Sequence, residues 1–350
     1  VGSFFARLAL ALRIPISWAI KPTVYAQFCG GETIEESEDK IEMLHKNGVK
    51  TILDYSAEGV TTEAELDSTC DEILSAVNAA GNDPRHAFSV FKPSGLSLHE
   101  LLAKPIAEFS PEEEDQWSRV LGRIDSICNS TSKSKGRVLI DAEESWIQDN
   151  IDIVAEDMMK KYNSQSAVVF TTVQLYRHDR LEYLQKLGER AKAEGFKVGV
   201  KLVRGAYMEK ERARAEKMGY PSPIQPDKAS SDRDYNLAIN HCLDNLDVFE
   251  IFAGTHNADS TLMLCSEMEK RGLKNDDPRI TFSQLLGMSD QITFNLAAHG
   301  YNIAKYVPYG PIREAMPYLI RRAKENTSVA GQTTRELRLI RKEMQRRLAK

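Results

Sequence analysis

Residues 306–326 read YVPYGPIREAMPYLIRRAKEN and place two cations beside an aromatic ring. Pro311 suits the first turn of a helix, where its missing N–H costs nothing. On such a helix Tyr318, Arg321, Arg322 and Glu325 fall three or four residues apart and share one face. Paired guanidinium groups form a fork for a carboxylate or a phosphate, and Glu325 can hold one of them in place. Taken alone, Arg-Arg-x-x-Glu is better explained as an exposed helix with an i,i+4 ion pair. A second constellation is KLVRGAYMEKERA at 201–213. Gly205 and Ala206 would let backbone approach a flat ligand. Lys201 and Arg204 could stabilise negative charge on a reduced cofactor ring; a plain strand exit with a turn glycine is the alternative. THN at 255–257 supplies His256, which either titrates or only donates a hydrogen bond. In IDAEE (140–144) Asp141 could orient a cation or accept a proton. Lys92 could be a carboxylate partner, a Schiff-base nucleophile or a surface charge, and spacing does not choose.

The elements that must position these groups follow a rhythm that starts near residue 34. Eight short β-branched, apolar runs alternate with amphipathic stretches: 49–56, 86–92, 137–143, 167–174, 197–205, 248–257, 280–288 and 302–310. Between them lie helical patterns such as 32–48, closed by Asn-Gly, and 177–195, closed by Gly195. Strand, helix, strand without hydrophobic alternation means parallel strands with crossover helices. Eight units are the count of a closed (β/α)8 barrel. Each run ends in polar side chains: Asp54 and Glu58, Lys92, Asp141 and Glu143, Gln174, Lys201 and Arg204, Thr255 and His256, Gln284, Tyr306. Barrel enzymes build their sites at that end. Loops are polar in general, but that alone does not explain ionisable groups at eight successive strand ends.

Composition narrows the classes. The 350 residues carry 46 Lys+Arg against 51 Asp+Glu, a net charge of −5, with 42% hydrophobic residues. A disordered chain would be less apolar, a multi-span membrane protein more so, and a nucleic-acid binder basic. No dinucleotide fingerprint, phosphate-binding loop, HExxH or GxSxG motif occurs. The five cysteines are widely spaced with no CxxC, which argues against disulfides and a structural metal site and for a reducing compartment. No metal is expected. The first 31 residues hold no acid, and 4–20 are apolar but broken by Arg7, Arg13 and Pro15. They read as a packing or membrane-surface helix, with a presequence remnant or a chain end as alternatives. The last 18 residues carry a net +5, which leaves −10 on the rest. They read as a basic helix docked on the barrel, or one that meets an anionic membrane.

Together the segments resemble the proline dehydrogenase family of FAD-dependent enzymes, in its monofunctional, mitochondrial-like branch. The resemblance rests on KPTVYAQFCGGET, TILDYSAEG, FSVFK, IDAEE, VVFTTVQLY, KLVRGAY, KASSDRDYN, GTHN, QLLGMSD and YVPYG…YLIRRAKEN, in order over residues 21–330. It implies a distorted (β/α)8 barrel over 34–330, an N-terminal arm over 1–33 and a basic C-terminal helix over 331–350. It also implies oxidation of L-proline to Δ1-pyrroline-5-carboxylate by hydride transfer from C5 to flavin N5. Electrons would pass to a membrane quinone, ubiquinone or menaquinone. By the same resemblance Arg321, Arg322 and Lys92 bind the proline carboxylate, and Tyr306, Tyr318 and Leu285 pack around its ring. Tyr306 would favour proline over trans-4-hydroxyproline. Lys201 lies near flavin N5, where many members carry Arg, and Asp141 sits at the active-site floor. Ala142, Gln174, Arg204, Gly205, Ala206, Thr255, His256 and Glu325 line the FAD, and Glu58 is a gate partner for one arginine. The expected location is the bacterial cytoplasm, peripheral to the inner membrane, with the mitochondrial inner membrane or matrix as alternative. Pyrroline-5-carboxylate dehydrogenase is expected as a separate chain. A Schiff-base lyase using Lys92 or Lys201, and a non-enzymatic proline binder, are the rival readings.

Overall fold

The eight apolar runs become eight strands: β1 (Lys50–Tyr55), β2 (His86–Phe91), β3 (Val138–Ile140), β4 (Val169–Gln174), β5 (Val198–Val203), β6 (Phe249–Gly254), β7 (Ile280–Leu285) and β8 (Ile303–Tyr309). Each pairs in parallel with its sequence neighbour, and β1 pairs with β8 to close the barrel. The computed structural model describes residues 21–55, 62–81, 83–328, 341 and 344–347, with only the backbone of 317 and 323–328. Glu58, the side chain of Glu325, residues 1–20 and most of 331–350 therefore lie outside the described residues.

The connecting helices are α1 (Glu38–Lys46), α2 (Glu63–Gly81), α3 (His99–Ala103), α4 (Pro111–Lys133), α5 (Ser145–Tyr162), α6 (Arg180–Glu194), α7 (Met208–Met218), α8 (Lys228–Asp244), α9 (Ala258–Lys270), α10 (Asp290–Ala298) and α11 (Ile312–Ser328). Local chemistry sets several ends. Ser110 and Glu113 form a capping box ahead of Pro111. Gly195 ends α6 at φ +80°, a conformation glycine adopts without strain. Asn257 accepts from the backbone N–H groups of Asp259 and Ser260, which fixes the turn that carries His256.

Inside the barrel, even-numbered strands supply Phe88, Phe170 and Phe252. Phe88 meets Phe170 at 5.0 Å and Phe252 at 5.1 Å between ring centroids, both edge to face. Alternate strands filling one layer is the packing expected of this barrel. Gly199 on β5 makes room for it, since a Cβ there would sit 2.5 Å from the Phe170 ring. At the far end, a helical segment over residues 21–28 seats α11. Tyr25, Phe28 and Cys29 pack against Ile312, Ala315, Met316 and Leu319. Tyr25 Oη donates to the Gly310 carbonyl at 2.8 Å.

Asn163, fully buried after α5, stitches the barrel below this end. Its Oδ1 accepts from the N–H groups of Val168 and Val169 at 2.9 Å each. Its Nδ2 donates to the carbonyls of Val169 and Lys197 at 2.7 and 3.0 Å. Asn163→Ala removes a partner from four backbone groups, two on buried Val169 and one each on half-buried Val168 and Lys197, and a buried orphan costs about 1–3 kcal/mol. A loss of at least about 3 kcal/mol is expected from urea unfolding. A loss under about 1 kcal/mol would show that the backbone relaxes to re-pair.

Candidate functional site

The C-terminal strand ends surround a cavity of about 570 Å³. β1 contributes Asp54, β2 leads to Lys92, and β3 to Asp141 and Ala142. β4 gives Gln174. β5 gives Lys201, and its exit gives Arg204, Gly205, Ala206 and Tyr207. β6 leads to Thr255 and His256, β7 gives Gln284 and Leu285, β8 gives Tyr306, and α11 leans Tyr318, Arg321 and Arg322 over the opening. Fifteen residues given a site role from the sequence, with Asp54 and Gln284 from the polar strand ends, thus line one cavity, from elements more than 200 residues apart. A second cavity, of about 680 Å³, opens at the other end of the barrel between Lys50, His86, Arg137 and Ile303. It holds none of them, and Arg137 there pairs with Glu250 at 3.5 Å.

Lys201 is the hub of the first cavity. It is only 8% exposed. Its ammonium donates to Asp141 Oδ1 and to Tyr306 Oη, both at 2.6 Å. Burial, then the Asp141 and Asp54 carboxylates, push the Tyr306 phenol well above its ordinary range, so it stays protonated. Lys92 Nζ lies 3.6 Å from Asp54 Oδ1. Burial raises the proton affinity of Asp54 above that of an ordinary aspartate, against the pull of Lys92.

Arg204 is sandwiched. One nitrogen pairs with Asp232 on α8 and the guanidinium lies 3.7 Å from the Tyr235 ring centroid. Its Nε and Nη2 are buried with no hydrogen-bond partner among the described residues. Such orphaned donors on a cavity wall suit a ligand with acceptor oxygens. Arg204, Lys228, Thr255 and His256, with Gly205 and Ala206, therefore form a donor set that fits a flat cofactor bearing phosphates.

Two side chains depart from expectation. Glu143 does not line the cavity: its carboxylate accepts from Ser94 N–H at 2.8 Å and Ser94 Oγ at 2.5 Å. Gln174 lines the cavity, but its amide nitrogen donates to the Glu143 carbonyl at 2.6 Å and to Tyr176 Oη at 2.7 Å. It can offer a ligand only its oxygen, which also accepts from Arg177 Nη1 at 3.5 Å. Sequence reasoning named Asp54 only as a polar strand end and gave no individual role to Tyr207, Lys228 or Asp232. All four stood inside quoted motifs, yet Asp232 meets Arg204 only through α8 packing against the barrel, which no spacing reveals.

His256 sits at the cavity wall with Nδ1 3.1 Å from Ser289 Oγ. Burial, then the nearby Lys305 and Arg322 cations, drive it down to about 3. Between the ordinary 6.5 and that value the unfolded chain takes up a proton that the folded chain refuses. This ring thus withdraws stability as pH falls through that window. NMR of ring-labelled histidine should find it a neutral imidazole from about pH 8 down to 5. An imidazolium at about pH 6 would contradict the packing described.

The profile of the family described as "Proline dehydrogenase" matches residues 37–335. The chain is 33% identical over 324 residues to the carbapenem antibiotics biosynthesis protein CarD of Pectobacterium carotovorum subsp. carotovorum, covering 92% of this chain and 84% of that one. It is 39% identical over 246 residues to proline dehydrogenase 1, mitochondrial, of Homo sapiens, covering 69% of this chain and 41% of the human one. In fold it is similar to proline utilization A of Bdellovibrio bacteriovorus, with a TM-score of 0.78 at 22% identity, over 88% of this chain and 33% of that one. The chain thus spans less than half of the human relative and a third of the larger bacterial one. With a profile match over most of its length and a barrel whose mouth gathers the residues it was read by, the chain belongs to the proline dehydrogenase family.

Proposed function

We propose that the chain oxidises L-proline in the first step of proline catabolism to glutamate, using FAD. The observation that carries the reading is the meeting of Arg321, Arg322 and Lys92 with Tyr306, Tyr318 and Leu285 around one cavity. A small zwitterion with an apolar ring needs that combination: cations for its carboxylate and flat walls for its ring. Charge-assisted hydrogen bonds to the carboxylate contribute about 1.5–3 kcal/mol each. They fix the ring's orientation, which is the main demand on the protein.

FAD would supply the hydride acceptor there, for oxidation of proline at C5 to Δ1-pyrroline-5-carboxylate. Lys201, held in place by Asp141 and Tyr306, would present its ammonium to the cofactor ring and stabilise negative charge there. Arg204, Thr255, His256 and the Gln174 oxygen would hold the cofactor, with Gly205, Ala206 and Ala142 along its surface. His256, neutral, serves as a hydrogen-bonding group and not as a counter-ion. A partnership of Glu325 with the cofactor and a gating pair between Glu58 and an arginine belong to the same proposal.

Electrons would pass to ubiquinone or menaquinone in a membrane. Among the described residues no helix is long and apolar enough to cross one. Relatives from a bacterium and from human mitochondria support a bacterial and a mitochondrial location alike.

The purified chain, loaded with FAD, should lose its visible flavin band on anaerobic addition of proline, and lose it more slowly with trans-4-hydroxyproline. A protein that takes up no FAD, or whose band proline leaves unchanged, overturns the reading. Trapping of a substrate adduct by borohydride would favour the lyase. Arg321→Met should raise KM for proline by about 10²-fold or more, the worth of one charge-assisted pair or two, while flavin stays bound. Flavin loss instead would show that Arg321 serves the cofactor.

A further inference from the structure

Proline is an ammonium ion near neutral pH, and hydride cannot leave C5 until the nitrogen has a lone pair to form the C=N bond. On the reading of the chain as a proline oxidase, some group must take that proton. Among the described residues three carboxylates line the cavity: Asp54, Asp141 and Asp259. Asp141 is engaged by Lys201 at 2.6 Å. Asp259 lies in the first turn of α9, beyond the residues assigned to the cofactor. Asp54 is the penultimate residue of β1, in register with Pro308 of β8, two residues beyond Tyr306. Its pairing with Lys92, the lysine assigned to the substrate carboxylate, is the longer one, at 3.6 Å.

We propose that Asp54 is the catalytic base, taking one N–H proton from proline while Lys92 holds the substrate carboxylate. The N–H bond breaks and an O–H bond forms on Asp54. The freed nitrogen lone pair then makes the C5=N bond as C5–H leaves with its electron pair to the flavin. Proline loses one proton and one hydride, two electrons in all, and departs as the protonated imine. Asp54 is faced by Cys29 from the N-terminal segment, Lys92 after β2, Asp141 after β3, Lys201 on β5, and Tyr306 and Tyr309 on β8. The two lysines keep the carboxylate available. Burial, the largest influence, and Asp141 raise its proton affinity, which suits a base that works near neutral pH. The sign follows: the base must be ionised, so kcat/KM falls on the acid side, with its limb above the ordinary 3.8.

The test compares FAD-loaded wild type, Asp54→Asn and Asp141→Asn in kcat/KM for proline between about pH 5 and 9. Binding of tetrahydro-2-furoate, a ring-oxygen analogue with no ammonium proton, is measured alongside. Asp54→Asn should lose about 10²–10⁴-fold in kcat and lose the acid limb, while analogue affinity changes by less than about 3-fold. Asp141→Asn should keep the limb. An acid limb that survives Asp54→Asn, or analogue affinity that falls in step with kcat/KM, overturns the assignment. The latter result would make Asp54 only a support for Lys92. If Asp54→Asn does not fold, Asp54→Glu serves: it must shift the limb, and an unmoved limb overturns the assignment. Wild type whose flavin proline does not bleach overturns the functional reading itself. Bleaching by wild type together with a surviving limb in Asp54→Asn overturns the base alone.

Discussion

A lysine ammonium withdrawn from water costs several kcal/mol unless partners replace the water it loses. Lys201 meets that cost with two short hydrogen bonds, to Asp141 after β3 and to Tyr306 on β8. One buried cation therefore ties together three strands that are not neighbours around the barrel. Removing either partner would leave charge or hydroxyl uncompensated, so the three side chains constrain one another. The Tyr306 ring, 4.5 Å from the ammonium measured at its centroid, is held both by its hydroxyl and by its face. The wall assigned to the substrate ring is in this way fixed by the group assigned to the cofactor.

The layer beneath explains why that network can be rigid. Phe88, Phe170 and Phe252 fill the barrel interior, and Tyr306 packs against Phe252 with centroids 6.1 Å apart. Side chains above such a layer have few rotamers open to them. Charge then alternates around the mouth, Asp54, Lys92, Asp141, Lys201, so that each cation faces a carboxylate. Arg321 and Arg322 add their charge from α11, which is not a barrel strand and depends on separate support. The segment over residues 21–28 supplies it, packing on α11 and bonding the Gly310 carbonyl where β8 gives way to the helix.

Arg204 shows a different economy. It is held by Asp232 and Tyr235 from one helix, α8, yet two of its nitrogens are buried with no partner among the described residues. Unsatisfied buried donors are destabilising in a structural role. Their persistence on a cavity wall fits a residue whose remaining hydrogen bonds are completed by a ligand.

By itself the sequence determined the barrel and most of the cavity lining. Eight apolar runs are a local signal, since a strand buried on both faces must be apolar throughout. Closure of parallel strands then sends every strand end to the same side, so Lys92, Asp141, Lys201, His256 and Tyr306 were bound to meet. The helix after Pro311 was equally local, because Tyr318, Arg321 and Arg322 share a face by the geometry of the helix alone. What only the tertiary structure decided is which side chain pairs with which. Lys201 and Asp141 are 60 residues apart, Lys201 and Tyr306 105. The turn of Glu143 toward Ser94, the commitment of the Gln174 amide, and the union of Arg204 with Asp232 depend on how packed helices and loops orient each side chain. Strand order fixes where a residue stands, whereas hydrogen-bond partners are chosen by a few ångströms of packing that periodicity does not encode.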